Sequence, residues 1–389
     1  MEQNRKAGRV LALCVMALSW ACLSPVFAQS IEDRLGQLMA EHGTVGLAVA
    51  VVRDNAIVYH EALGWRDRER KIPLEDDDLF RIASISKSFT VTSIMQLVEQ
   101  GKLSLDDDAG DLIGFRVRNP AYPDRVITLR MLLNHTSSIT DGKDYGSLDF
   151  INPGAGKAWR DSYADRAPGE GYEYSNLAYN MVGTIVERAS GERFDAYVKA
   201  HVFEPLGLHA GYVPDTLDAK RFAQIYRWRE GKGFVHSEQA YAPLGSRLDD
   251  YTMGYDAPMF SPTGGVKISA PDLAKYMLMH MNLGEWNGVR LMSAAHALEM
   301  QTPTVDIDGH SRYGLALRSD TVLVPGVVLT GHTGSAYGLN SSMFFDRDRK
   351  YGLVVITNGS RDPGIRAEVN RALYEHFIAH PAGDASAAE

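Results

Sequence analysis

Phe80-Arg81-Ile82-Ala83-Ser84-Ile85-Ser86-Lys87-Ser88-Phe89-Thr90 sets a serine and a lysine three residues apart where a helical pattern begins. Side chains at i and i+3 of a helix share one face, with Cβ atoms about 5–6 Å apart, so Lys87 can reach the Ser84 hydroxyl and influence its proton. Beyond Lys87 the pattern is apolar on most sides: Phe89, Val91, Ile94, Met95, Leu97 and Val98, closed by Gly101 in the manner of a C′ glycine. A helix apolar nearly all round is buried in the middle of a domain. Ser84 stands at its N-terminus, where unpaired N–H groups and the positive end of the helix dipole favour a developing negative charge.

The chain in order surrounds this helix with two kinds of pattern. Residues 32–39 read as a short amphipathic helix, and 45–52 and 56–63 as two strands joined at Asp54-Asn55, residues that tolerate a tight hairpin turn. Between 106 and 312 strand signals fade and helical periodicities take over, at 127–133, 176–189 and 194–203. Another helix, opened by Ser269-Ala270-Pro271-Asp272, runs to Met281. Strand signals return at 313–317, 322–329, 339–345 and 351–357, followed by a helix with Ile365, Val369, Leu373 and Phe377 at helical spacing. This order predicts an α+β fold: an antiparallel sheet built from both ends of the chain and flanked by helices, residues 29–104 plus 313–380, with a mainly helical insertion, 105–312. Two long irregular stretches, 140–167 and 209–263, carry Trp159, Tyr163, Tyr212, Tyr226 and Trp228 and are expected to wall a pocket. The end, 381–389, is small and polar and is expected to be disordered.

The N-terminus follows other rules. Arg5, Lys6 and Arg9 precede an apolar run at 10–23 and then Pro25-Val26-Phe27-Ala28, the order of a secretory signal peptide, 1–28, cut before Gln29. The run is shorter than the roughly 20 residues of a spanning helix, so no stable membrane insertion is expected after cleavage, and an exported, periplasmic or secreted, protein is. Both cysteines, Cys14 and Cys22, fall in that segment, which leaves neither disulfides nor a catalytic thiol in the mature chain. The net charge of −9 becomes −11 once Glu2, Arg5, Lys6 and Arg9 are removed, and an acidic chain has no electrostatic case for binding nucleic acid. The 12 histidines are dispersed, with no His-Glu-x-x-His, so no metal and no cofactor are expected.

Two further motifs carry chemistry. Tyr174-Ser175-Asn176 lies just before a helix, and a phenol accepts a proton only where a cation such as Lys87 stabilises its phenolate. Gly331-His332-Thr333-Gly334-Ser335-Ala336, read as lying between two strand runs, has small residues that let a substrate backbone approach, and an N–H there can complete an oxyanion hole with that of Ser84.

Together, Ser84-x-x-Lys87, Tyr174-x-Asn176 and His332-Thr333-Gly334 resemble the three ordered motifs of the penicillin-recognising serine hydrolases: class C β-lactamases, DD-peptidases, D-aminopeptidases and related esterases. Leu132-Leu133-Asn134-His135-Thr136-Ser137-Ser138, Pro205-Leu206-Gly207-Leu208 and the stretch 354–359 extend the likeness over nearly the whole mature chain. The resemblance implies that Ser84 attacks a carbonyl to form an acyl-enzyme and that Lys87 and Tyr174 share the proton work, with neither named as the base. It implies that Asn176 orients the acyl group or Lys87. The N–H groups of Ser84 and Ser335 would bind the oxyanion, and His332, Thr333 and Gly334 the substrate's carboxylate or leaving group. His332 stands where β-lactamases carry lysine, which removes a fixed positive charge and implies weak or no β-lactamase activity. The substrate expected is a small molecule or peptide containing a D-residue, or a small ester, with a penicillin-binding sensor that acylates with little turnover as the alternative. His135 is expected to be structural.

Overall fold

The computed structural model describes residues 30–379; the expected signal peptide, 1–28, and the expected disordered tail, 381–389, lie outside the described residues. Nine strands form one antiparallel sheet in the order Val305–Asp306, Ser311–Tyr313, Arg318–Asp320, Leu329–Ala336, Leu339–Asp346, Tyr351–Thr357, Gly46–Arg53, Ala56–Asp67, Ile72–Pro73. The first long strand lies between its hairpin partner and the last long strand, with Leu47 opposite both Leu63 and Thr357, so the two ends of the chain meet in the middle of the sheet. The hairpin turns at Asp54 and Asn55, both at positive φ, as the sequence required.

Side-chain alternation sorts the sheet's two faces. Leu47, Val49, Val51, Leu353 and Val355 pack against Leu35 and Leu38 of the Ile31–His42 helix and Val369 and Leu373 of the Ile365–Tyr374 helix. Ala48, Ala50, Val52, Val354 and Ile356 point the other way, into the main core with Leu273 and Met277 of the Ala270–Met281 helix. Burial on both faces explains why these strands read as continuous apolar runs.

The central helix, Ser86–Glu99, is buried from Ser86 to Leu97. Its polar side chains are paired within the core: Ser88 Oγ donates to Ile85 O at 2.8 Å, Thr90 Oγ1 to Pro262 O at 2.8 Å, and Thr92 meets the Tyr276 hydroxyl at 2.9 Å. Buried hydroxyls that all find partners cost little and fix the helix in one register. The helix ends at Gln100, with Gly101 at φ 70°.

Three sequence expectations are corrected. The α-helix starts at Ser86, after a 3₁₀ turn at Ala83–Ile85, because Ala83 adopts φ 50° and breaks the helical path. That left-handed conformation costs a non-glycine residue about 1–2 kcal/mol and swings the next residue, Ser84, out of the helix line. Residues 322–328 form a turn and not a strand, which starts only at Leu329: the Asp320 carboxylate accepts from the N–H groups of Val322 and Leu323, and Pro325-Gly326 follows with Gly326 at φ 80°. The Gly-His-Thr-Gly motif therefore lies inside the strand Leu329–Ala336 and not between two strands. Its outer neighbour pairs only with residues 329–331, so from His332 onward one side of the strand is free of sheet partners.

Candidate active site

Three elements bring Ser84, Asn176 and, just past the third motif, Ser335 to one cavity. The 3₁₀ turn presents Ser84, the N-terminus of the Asn176–Ser190 helix presents Asn176, and the free side of the Leu329–Ala336 strand presents Ser335. Ser84, Asn176, Thr263 and Ser335 all line a cavity of about 280 Å³.

Lys87 is fully buried, and its Nζ is bounded by three oxygens: Asn176 Oδ1 at 2.8 Å, Thr263 O at 3.0 Å and Ser84 Oγ at 3.3 Å. The first two can only accept, so they claim two amine hydrogens. Ser84 alone among the three can donate, so a neutral amine has its lone pair left for the Ser84 proton. Burial holds the Lys87 ammonium well below its ordinary range, and the nearby Asp141 charge pulls it partly back.

Asp141 was not singled out from the sequence, yet it organises this side of the site. Its Oδ1 accepts from the Asn176 N–H at 2.5 Å and the Leu177 N–H at 3.0 Å, and its Oδ2 accepts from Asn176 Nδ2 at 2.8 Å. A carboxylate only accepts, so the amide nitrogen of Asn176 must face Asp141 and the amide oxygen must face Lys87. Thr263 Oγ1 donates to that same oxygen at 2.6 Å. The sequence signal was faint: one acid in a long loop, 35 residues before the helix whose N-terminus it caps.

Tyr174 is partly buried, and the Lys87 amine lies over its ring, 4.7 Å from the centroid. Burial pushes its phenol well up, and the hydrogen bond with Ser84 draws it back only in part, so the group keeps its proton at neutral pH. His135 is buried beside it with ring centroids 4.4 Å apart, and its Nδ1 accepts from the Ser175 N–H at 3.1 Å. That hydrogen bond supports the Tyr174–Asn176 segment from below, the structural part expected of His135.

His332 is not brought to the cavity. It is 4% exposed, its Nδ1 donates to Thr333 O at 2.5 Å, and its Nε2 consequently accepts from the Tyr313 hydroxyl at 3.1 Å. Burial first, then the charge of Arg318, pulls its pKa down to about 3, so the ring is neutral. Gly334 likewise faces inward: a Cβ there would lie 2.2 Å from Ile82 O and 2.4 Å from Ser341 Oγ. The missing side chain lets the strand close onto the turn that carries Ser84. Gly334→Ala is accordingly expected to destabilise the protein by about 1–3 kcal/mol through overpacking. A fall in the urea midpoint, together with reduced turnover at saturating substrate, would be the readout.

The aromatics expected to wall the pocket do not line it. Tyr212 and Tyr226 are buried in the core, and the cavity's aromatic residues are Tyr145 and Tyr337. Long loops announce a pocket, but which of their side chains turn inward depends on tertiary packing.

Comparison with known proteins is consistent across sequence and fold. A family model described as Beta-lactamase matches residues 31–376. Penicillin-binding protein 4 of Amycolatopsis lactamdurans is 31% identical over 276 residues, 69% of this chain and 68% of its own length. Esterase EstB of Burkholderia gladioli is 34% identical over 218 residues, 51% of this chain and 54% of its own length. Penicillin-binding protein 4* of Bacillus subtilis is 29% identical over 55% of this chain and 47% of its own length, so the chain spans about half the length of these last two relatives. The octameric penicillin-binding protein homologue from Pyrococcus abyssi superposes with a TM-score of 0.73 at 26% identity, covering 89% of this chain and 76% of that one. The D-amino acid amidase of Ochrobactrum anthropi SV3 shares the fold with a TM-score of 0.69 at 22% identity, over 88% of this chain and 98% of its own.

Proposed function

Since the chain belongs to the β-lactamase family of serine hydrolases, we propose that it works through an acyl-enzyme on Ser84, cleaving a D-residue-containing peptide or a small ester after export. The observation that supports this most directly is the buried Lys87 amine, held by Asn176 Oδ1 and Thr263 O with its third contact on Ser84 Oγ.

In this reading Lys87, neutral at rest, takes the Ser84 proton as the oxygen attacks the substrate carbonyl. The N–H groups of Ser84 and Ser335 receive the oxyanion. Tyr174, which holds its proton, gives it to the departing atom, and transfer from the Lys87 ammonium restores the pair before water releases the acyl group. Asn176 and Asp141 position the amine, and Thr333 is assigned to the leaving group. His332, neutral and bonded to Tyr313 and Thr333 O, offers no fixed charge to a β-lactam carboxylate, which supports weak or absent β-lactamase activity. The N-terminal segment supports export; among the described residues no helix is long and apolar enough to cross a membrane.

Asp141 gives this reading a specific check. Asp141→Ala frees the Asn176 amide to turn and is expected to lower kcat/KM about 100-fold, the usual cost of misplacing a group near the reacting atoms. Asp141→Asn removes the negative charge that favours the Lys87 ammonium. The amine must be neutral to act, so the acid limb of the pH–rate profile should move to lower pH; a limb that stays in place would contradict this electrical coupling.

The substrate class is decided by turnover on a D-aminoacyl amide, a D-Ala-D-Ala peptide, short-chain esters and a cephalosporin, with mass spectrometry of Ser84 after a fluorophosphonate or a fluorescent penicillin. Turnover with transient acylation supports the hydrolase. A persistent penicillin adduct without product would favour the sensor alternative, and no adduct with no turnover would defeat both.

A further inference from the structure

The cavity that holds Ser84 is lined by two arginines, Arg81 and Arg227, and by no carboxylate, in a chain whose net charge is −9. Arg81 is engaged by the protein: its Nε donates to Gly264 O at 2.9 Å and its Nη2 to Ser261 Oγ at 3.2 Å, with the guanidinium over the Tyr337 ring. Arg227 is different. Its backbone is held in the Tyr226–Arg229 strand opposite Val235, while its exposed guanidinium makes no hydrogen bond or ion pair among the described residues.

The place of Arg227 is built into the fold. Gly338 has φ 112°, and a Cβ there would lie 2.1 Å from Tyr226 O and 2.8 Å from Arg227 Cα. The absent side chain lets the hairpin press against the turn that follows Ala336. Ser237 Oγ, just past the hairpin, donates to Tyr337 O at 2.8 Å and fastens the same junction. Arg227 and Arg229 lie two apart on one strand and so share a face, and a second cavity of about 320 Å³ runs along that face from Tyr337. The two cavities share Arg227 and Tyr337.

We propose that Arg227 anchors an anionic group, a carboxylate at the far end of the substrate's acyl arm. This rests on the acyl-enzyme reading above. In that reading Thr333 serves the leaving group, so the acyl arm runs the other way along the strand, past Ser335 to Tyr337 and Arg227, which line the same cavity. A guanidinium without an internal partner pairs with a carboxylate in bidentate fashion; beyond Arg227 the groove carries Arg229 and the opposing Glu238 carboxylate, so the anchor is Arg227 itself. Since the protein as a whole repels anions, this local charge selects where they can settle.

The test holds the leaving group and chain length constant: p-nitrophenyl pentanoate against the mono-p-nitrophenyl ester of glutaric acid. For the unaltered protein kcat/KM is expected to favour the glutarate ester by roughly tenfold at low salt, as one charge-assisted pair on a partly wet surface would give. The preference should shrink in about 0.5 M sodium chloride, where charges are screened beyond a few ångströms. It should fall to near unity in Arg227→Gln and reverse in Arg227→Glu; because the readout is a ratio of two substrates on one preparation, a partly inactive variant does not distort it. Hydrolysis of both esters without preference, or a preference that survives in Arg227→Gln, overturns the anion site and leaves the hydrolase reading standing. Failure to hydrolyse either ester, with no fluorophosphonate adduct on Ser84, overturns both.

Discussion

Ser84→Ala is expected to lower ester turnover by about a hundred-thousandfold to a millionfold, the loss that follows removal of a nucleophile whose partners then have nothing to activate. The backbone N–H groups of residues 84 and 335 and the cavity persist, so on the proposed mechanism the residue of activity is what binding and polarisation alone supply. The fold should be unaffected: the hydroxyl is half-buried, and its contact with Lys87 Nζ is the longest of the three that amine makes. The measurement is burst and steady-state kinetics with a p-nitrophenyl ester beside fluorophosphonate labelling. An Ala variant that still turns over at an appreciable rate would place the chemistry elsewhere.

Lys87→Met should cost about 10²–10⁴-fold in kcat, the range for loss of a positioned base, and should act on stability in a way few active-site changes do. The folded pKa of Lys87 lies well below its unfolded value because burial penalises the ammonium. Between those two values the unfolded chain binds the extra proton, so this residue makes stability fall as pH falls from alkaline toward the folded pKa, below which its contribution is constant. Methionine removes that penalty while filling similar space. At neutral pH Lys87→Met should therefore unfold at a higher temperature than the unaltered protein, and the gap should narrow as pH rises toward 10. A gap that widens with pH would mean that the amine is charged in the folded state.

Much of this arrangement was legible in the chain because its signals are local. The period of the 86–99 helix, the Asp54-Asn55 turn, the helix from Asn176 and the Ser269 cap each depend on a few neighbouring residues, and apart from the start of the first helix each occurs where the pattern put it. The failures were tertiary or turned on a competing local bond. Residues 322–329 carry β-branched side chains that suit a strand, but the Asp320 carboxylate captures their first N–H groups and Pro325-Gly326 completes a turn. The third motif could be found but not oriented: strand alternation places His332 and Gly334 on the inward face, and only packing against Tyr313 and Ile82 reveals which face that is. Thr263 and Arg227 reach the cavity, and Asp141 reaches Asn176 behind it, from loops and a short hairpin whose paths no periodicity encodes.

The meeting of both chain ends in the sheet also sets a timetable. Gly46–Arg53 finds one neighbour within a few residues, but its other side waits for Tyr351–Thr357, almost the whole length of the chain away. Until that strand is synthesised the first one carries a bare ladder edge, the kind of surface on which nascent chains aggregate or are held by chaperones. The strand bearing Ser335 arrives equally late, so in a half-made protein the turn at Ser84 lacks the neighbour with which it lines the cavity. So distant a pairing slows folding on topological grounds, and the middle of the sheet cannot close until both ends of the chain are present.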